Sequence, residues 1–176
     1  EAPETGEVIE EAVEEEPVAE AVPEKAPEKA AEPSKPGQPP KATGEMLKTI
    51  QEHVRTIQMV SDYHKQAAAK DALIEMGPVV TSEVATLLED SSPLVRSLAI
   101  IILRETGHPT VVPMIFKLLA DENSEIRWHA AIALRELTGR EFGYHYNDLP
   151  KKRAEAMQTW AAWLIENKYL EAPKDA

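Results

Sequence analysis

The feature that most constrains this chain is an internal repeat of 31 residues. Shifting the sequence against itself by that period places Leu87-Leu88 on Leu118-Leu119, Asp90 on Asp121, and Val95-Arg96 on Ile126-Arg127. Ala99 then falls on Ala130 and Leu103-Arg104-Glu105 on Leu134-Arg135-Glu136, while the closing glycine slips by one, Gly107 against Gly139. A weaker copy lies upstream at an offset of 30, where Ala69, Leu73 and Gly77 precede Ala99, Leu103 and Gly107. Self-similarity at this period points to a stacked array. One short unit cannot bury its own apolar stripe, so neighbours must share a continuous core.

Each unit reads as two helices. Val80, Val84, Leu87 and Leu88 recur at helical spacing, and Glu89-Asp90-Ser91-Ser92-Pro93 then supplies a break, a cap and a proline suited to a first turn. A second helix follows from Pro93 to Thr106, with Val95, Leu98, Ala99, Ile102 and Leu103 inward and Gly107 as its left-handed stop. The next unit repeats the plan with Val111, Met114, Ile115, Leu118 and Leu119, a break at residues 121–124, and a helix through Leu137. Upstream, Met46, Leu47, Ile50, Val54, Ile57 and Val60 mark a first helix, and Ser61-Asp62 opens its partner, which runs to Met76. Beyond the repeats, residues 140–149 form a loop carrying Phe142, Tyr144 and Tyr146. Asp148 and Pro150 then open a last helix with Ala154, Met157, Ala161 and Leu164 on one face. That helix is expected to cap the stack, with Trp160 and Trp163 as capping core.

These marks resemble HEAT-like repeats of the short bacterial type. The resemblance rests on the LLxD of Leu87 to Asp90 and Leu118 to Asp121, the Val95-Arg96 and Ile126-Arg127 pairs, the alanine after each, and the closing Thr106-Gly107 and Thr138-Gly139. It covers about residues 46 to 139, two good units and one degenerate one. The resemblance extends to the phycobilisome-lyase HEAT-like repeats. The expected fold is all-α: a short HEAT-like α-solenoid of antiparallel helix pairs at about 45–77, 78–107 and 110–138, closed by a capping helix at about 150–167. The repeat domain is placed at 44–176, after a disordered linker at 1–43. Asp90 and Asp121 at the inter-helix breaks, with Arg96 and Arg127 one turn into the next helix, suggest an Asp–Arg ladder between units. The alternative is that these are surface charges of little consequence.

Composition matters most for the first 43 residues, which hold 12 acids, 4 lysines and 8 of the 14 prolines, with no aromatic residue. Such a stretch cannot bury enough apolar surface to offset the entropy of ordering, and reads as a stiff acidic spacer or, around Val8 and Ile9 or Pro39-Pro40, a docking motif. The remaining residues are near −4 in net charge. That balance argues against nucleic acid as a partner. No apolar run, Leu98 to Leu103 included, approaches the roughly 20 residues of a transmembrane span. The chain opens on Glu1 rather than Met, so residues upstream are expected to be missing, through processing of a signal peptide or a membrane anchor or simply because the sequence starts there. A bacterial envelope or periplasmic location is favoured, with the cytoplasm as the alternative.

Catalysis is not expected. There is no cysteine, and none of the HExxH, GxSxG, GxxxxGK[ST] or GxGxxG patterns occurs. The five histidines, His53, His64, His108, His129 and His145, are scattered and form no His-Glu step of the kind found in HEAT-like metal hydroxylases. Neither a metal nor a cofactor is expected. The remaining chemistry is on the second helices, where Ser97, Ile101 and Arg104 form a stripe repeated one period later as Trp128, Ile132 and Arg135. In solenoids these helices line the partner-receiving side, and Trp and Arg are favoured anchors. Trp128 is therefore either a binding hot spot or a core residue under the 142–146 loop. The expected function is a non-catalytic scaffold or adaptor module, monomeric alone, binding a protein partner. The alternative is an accessory or lyase-type subunit of the phycobilisome-lyase-like class.

Overall fold

A computed structural model describes residues 37–59 and 61–171, and every described element is helical. The expectations for residues 1–36 and for Val60 lie outside the described residues. Helix α1 spans Gly44–Met59 and buries Ile50, Val54 and Ile57, while α2, Tyr63–Glu75, buries Gln66, Ala69 and Leu73. Asp62 caps α2, its carboxylate accepting the amides of His64 at 2.9 Å and Lys65 at 3.3 Å.

The first helices of the next two units are not continuous. In one, a 3₁₀ turn at Gly77–Val80 leads into α3, Thr81–Ala85, and a second 3₁₀ turn at Thr86–Glu89. Thr81 and Thr86 donate their hydroxyls back three residues, to the Pro78 and Glu83 carbonyls at 2.7 Å each, which suits the tighter winding. In the other, 3₁₀ turns at Pro109–Val111 and Leu118–Ala120 flank α5, Val112–Lys117. The apolar spacing that reads as one α-helix is thus met by mixed winding, and Val80, Val84, Leu87, Leu88, Val111, Ile115 and Leu119 still reach the core.

The second helices are regular. Helix α4, Pro93–Thr106, and α6, Ser124–Thr138, end at Gly107 and Gly139 with φ of 66° and 65°. In this left-handed conformation the glycine amides turn back to close the last turn, Gly139 donating to the Arg135 carbonyl at 2.8 Å. Helix α4 packs between α2 and α6, so the second helices form one layer and the first helices another. Ser92 occupies the N-cap of α4 but makes no capping bond. The Asp90 carboxylate instead accepts the Ser92 amide at 2.9 Å, and Asp121 repeats this with Asn123 at 2.9 Å. The aspartate expected at each break therefore holds its turn, accepting the amide two residues on.

The last helix, α7, spans Pro150–Glu166. Its buried stripe is Ala156, Trp160 and Leu164, with Met157 and Trp163 half-covered, whereas Ala154 is exposed. The face is rotated from the expected one because Trp160 and Trp163 pack with Phe142: ring centroids lie 4.8 Å apart for Phe142–Trp160 and 5.8 Å for Phe142–Trp163. At the other end, Ala42 already packs against the core before α1 begins.

Candidate functional site

The junction between units is organised around Arg96. Its Nη2 donates to Asp121 Oδ1 at 2.9 Å, with both side chains only 8% exposed. Its Nη1 donates to the Asp90 and Ser91 carbonyls at 2.8 and 3.2 Å. The second helix of one unit is thereby tied to its own break and to the break of the next.

The ends of the array use other groups. Gln58 Nε2 reaches Asp90 Oδ2 at 3.0 Å, where no preceding arginine exists, and Gln66, at the position matching Arg96, donates to the Ile57 carbonyl at 2.9 Å. Arg127 pairs with no aspartate side chain among the described residues. Its Nε donates to the Tyr146 carbonyl at 3.0 Å and its Nη1 to the Asp121 and Glu122 carbonyls at 2.8 and 2.9 Å. The expected ladder is thus a single buried Asp–Arg rung, completed by neutral groups at both ends.

That arrangement fixes α6 and the following loop, and between them lies a cleft of about 160 Å³. One wall is Trp128, Ile132 and Arg135 from α6, the other Glu141, Tyr144 and Tyr146 from the loop, with Trp160 behind. Tyr144 is held by donating its hydroxyl to the Leu119 carbonyl at 2.5 Å. Burial raises its pKa above 10, against the opposing pull of Arg153 and Arg127. Trp128 is 43% exposed and stands edge-on to His129 at 4.8 Å, on the rim of the cleft rather than in the core. Burial also lowers the pKa of His129 below 6.5, with nearby Arg104 pushing the same way and Glu125 opposing.

Of the six residues expected to form the stripe, five reach the surface wholly or in part. Ile101 and Ile132 are half-buried, and Arg104 spans α4 to α6, with Nη2 at 2.6 Å from Glu105 and Nε at 3.2 Å from Glu136. Arg135 is exposed and in no ion pair among the described residues. Ser97 is the exception. It is 8% exposed and its hydroxyl donates to the Leu94 carbonyl at 2.8 Å, so this short side chain is spent within its own helix and cannot meet a partner. The loop wall of Tyr144, His145 and Tyr146 was not among the expected site residues, although the aromatic density of residues 142–146 was its signal.

Fold and surface define an all-α repeat solenoid that presents an elongated side-chain face. Residues 81–144, just over a third of the chain, match the HEAT repeats family. No curated protein matches the chain. Among the described residues no helix is long and apolar enough to cross a membrane, and no three His, Asp or Glu side chains stand close enough to share a metal ion.

Proposed function

We propose that this chain is a non-catalytic scaffold or adaptor that receives a protein partner on its second-helix layer. Repeats of this class generally mediate protein–protein interaction. The contact is centred on Trp128 and extends to Ile101, Arg104, Ile132 and Arg135. The observation that carries this reading is the exposed Trp128 indole on the rim of an aromatic cleft, beside Arg135, which is in no ion pair among the described residues. A large, rigid aromatic with an apolar recess next to it is the arrangement that concentrates binding energy at protein interfaces. Helix and loop are held by buried hydrogen bonds, so little ordering is needed on binding. In this reading residues 44–176 form the binding module and residues 1–43 its acidic carrier segment.

The test is affinity capture from native lysate with the full chain, comparing wild type with Trp128→Ala after circular dichroism shows both folded. A partner lost on Trp128→Ala, with affinity lowered by about 30-fold or more on direct titration, is expected. Equal capture by both proteins would remove Trp128 from the interface. A visible chromophore co-purifying with the chain would move the reading to the lyase-type class.

A further inference from the structure

Trp128 has a recess on each side. Besides the cleft already described, a second recess of about 350 Å³ is lined by Ser124, Glu125, Trp128, Tyr146 and Asn147. Trp128 and Tyr146 are thus walls common to both. Each is fixed by the fold. Trp128 stands in the second turn of α6, and the Tyr146 carbonyl accepts Arg127 Nε at 3.0 Å.

The two recesses differ in charge. Arg135 lines the first, whereas no lysine or arginine lines the second, whose one charged side chain is Glu125. Elsewhere on the second-helix layer acids are matched by cations of the chain. Lys65 reaches Asp62 at 3.9 Å, Lys70 reaches Asp71 at 2.8 Å, and Arg104 reaches both Glu105 and Glu136. Glu125 is exposed and in no ion pair among the described residues. One turn on, His129 is uncharged at neutral pH because burial lowers its pKa. Arg127 lies beneath the loop, 8% exposed, with its donors already on the Tyr146, Asp121 and Glu122 carbonyls. The partial positive charge at the start of α6 is offset by the carboxylates of Glu122 and Glu125.

Two aromatic side chains and an unmatched carboxylate around one open recess favour a cation. Ring faces attract it through their quadrupoles, and the carboxylate accepts its N–H donors. A guanidinium suits this set better than an ammonium, since its plane stacks on a ring while its edge donates to a carboxylate. The net charge of −12 also draws a basic partner at long range. We propose that this recess seats an arginine side chain of the protein partner, stacked on Trp128 and Tyr146 and paired with Glu125. The inference rests on Trp128 as the centre of the docking surface, and it assigns a basic docking segment to the partner.

The probe is the peptide acetyl-Gly-Arg-Gly-amide, with its citrulline counterpart as the uncharged control. The full chain, labelled with nitrogen-15 at its 3 tryptophans, is titrated while the indole N–H signals are followed by NMR, Trp128→Phe identifying the Trp128 signal. A saturable shift of that signal is expected with the arginine peptide, with citrulline at least about ten-fold weaker. Glu125→Gln should weaken arginine binding several-fold and Glu141→Gln, in the other cleft, should not; added salt should bring the wild type toward the Glu125→Gln level. Both positions are exposed, so neither change disturbs the core. A Trp128 signal that ignores the arginine peptide, or answers citrulline equally, would overturn the seat. The adaptor reading fails separately. Partner capture lost on Trp128→Ala but kept on Glu125→Gln would overturn the arginine seat alone, whereas saturable peptide binding without any Trp128-dependent capture would uphold the seat and remove the adaptor reading.

Discussion

Replacing Arg96 by alanine tests the reasoning about the inter-unit junction most directly. Arg96 makes three hydrogen bonds, and one of them is the ion pair with an Asp121 carboxylate that is 8% exposed. With the guanidinium gone, the Asp121 carboxylate keeps only the Asn123 amide among the described residues. Removing one partner of a buried pair strands the other charge, which typically costs about 3–5 kcal/mol. Gln58 plays the corresponding part toward Asp90, but it is neutral and exposed, so Gln58→Ala should cost only about 0.5–1.5 kcal/mol. Arg127→Ala should fall between them, because it unsatisfies carbonyls without stranding a carboxylate. Urea denaturation of the three variants gives the order directly. In thermal melts the Arg96 variant should lose roughly 10–20 °C. Arg96→Met combined with Asp121→Leu should recover part of that loss, since removing both charges leaves none unpaired. The shortfall should be the three hydrogen bonds not remade, those of the Asn123 amide and of the Asp90 and Ser91 carbonyls. If Arg96→Ala proves no more damaging than Gln58→Ala, or the double replacement is as unstable as the single one, the junction is not held by this buried pair.

Three further outcomes follow from single contacts. Tyr144→Phe removes the bond to the Leu119 carbonyl and should cost about 1 kcal/mol in urea denaturation; an unchanged midpoint would show that the hydroxyl contributes nothing. Gly107→Ala meets no atom within 4 Å but imposes φ of 66° on a residue with a Cβ, so the loss should be about 1 kcal/mol, and a much larger loss would contradict a purely backbone origin. His129 has its pKa lowered by burial, so between that value and 6.5 the folded chain binds fewer protons than the unfolded chain. Stability should therefore fall as pH drops through 6.5 and level off below the folded pKa. His129→Gln should flatten that part of a melting-temperature profile, and an identical slope in the variant would count against His129 as its source.

The sequence by itself determined what depends on short-range order. The repeat period, the helix pairs, the glycine stops at 107 and 139 and the aspartates at the breaks are all legible, because each follows from apolar spacing or from the conformational freedom of one residue. The stripe of Ile101, Arg104, Trp128, Ile132 and Arg135 was legible for the same reason, helical periodicity alone placing them on one side of the second helices. The tertiary structure decided everything that depends on how closely two elements approach. It broke the first helices into mixed α and 3₁₀ turns, withdrew Ser97 from the surface, and rotated α7 so that Trp160 and Trp163 meet Phe142. It also set Arg96 against the aspartate of the following unit, 25 residues away, and opened a cleft between α6 and a loop with no counterpart in the repeat. Periodicity gives the direction of a side chain from its own axis, whereas its partner is fixed only when neighbouring axes settle at a distance that fills the space between them.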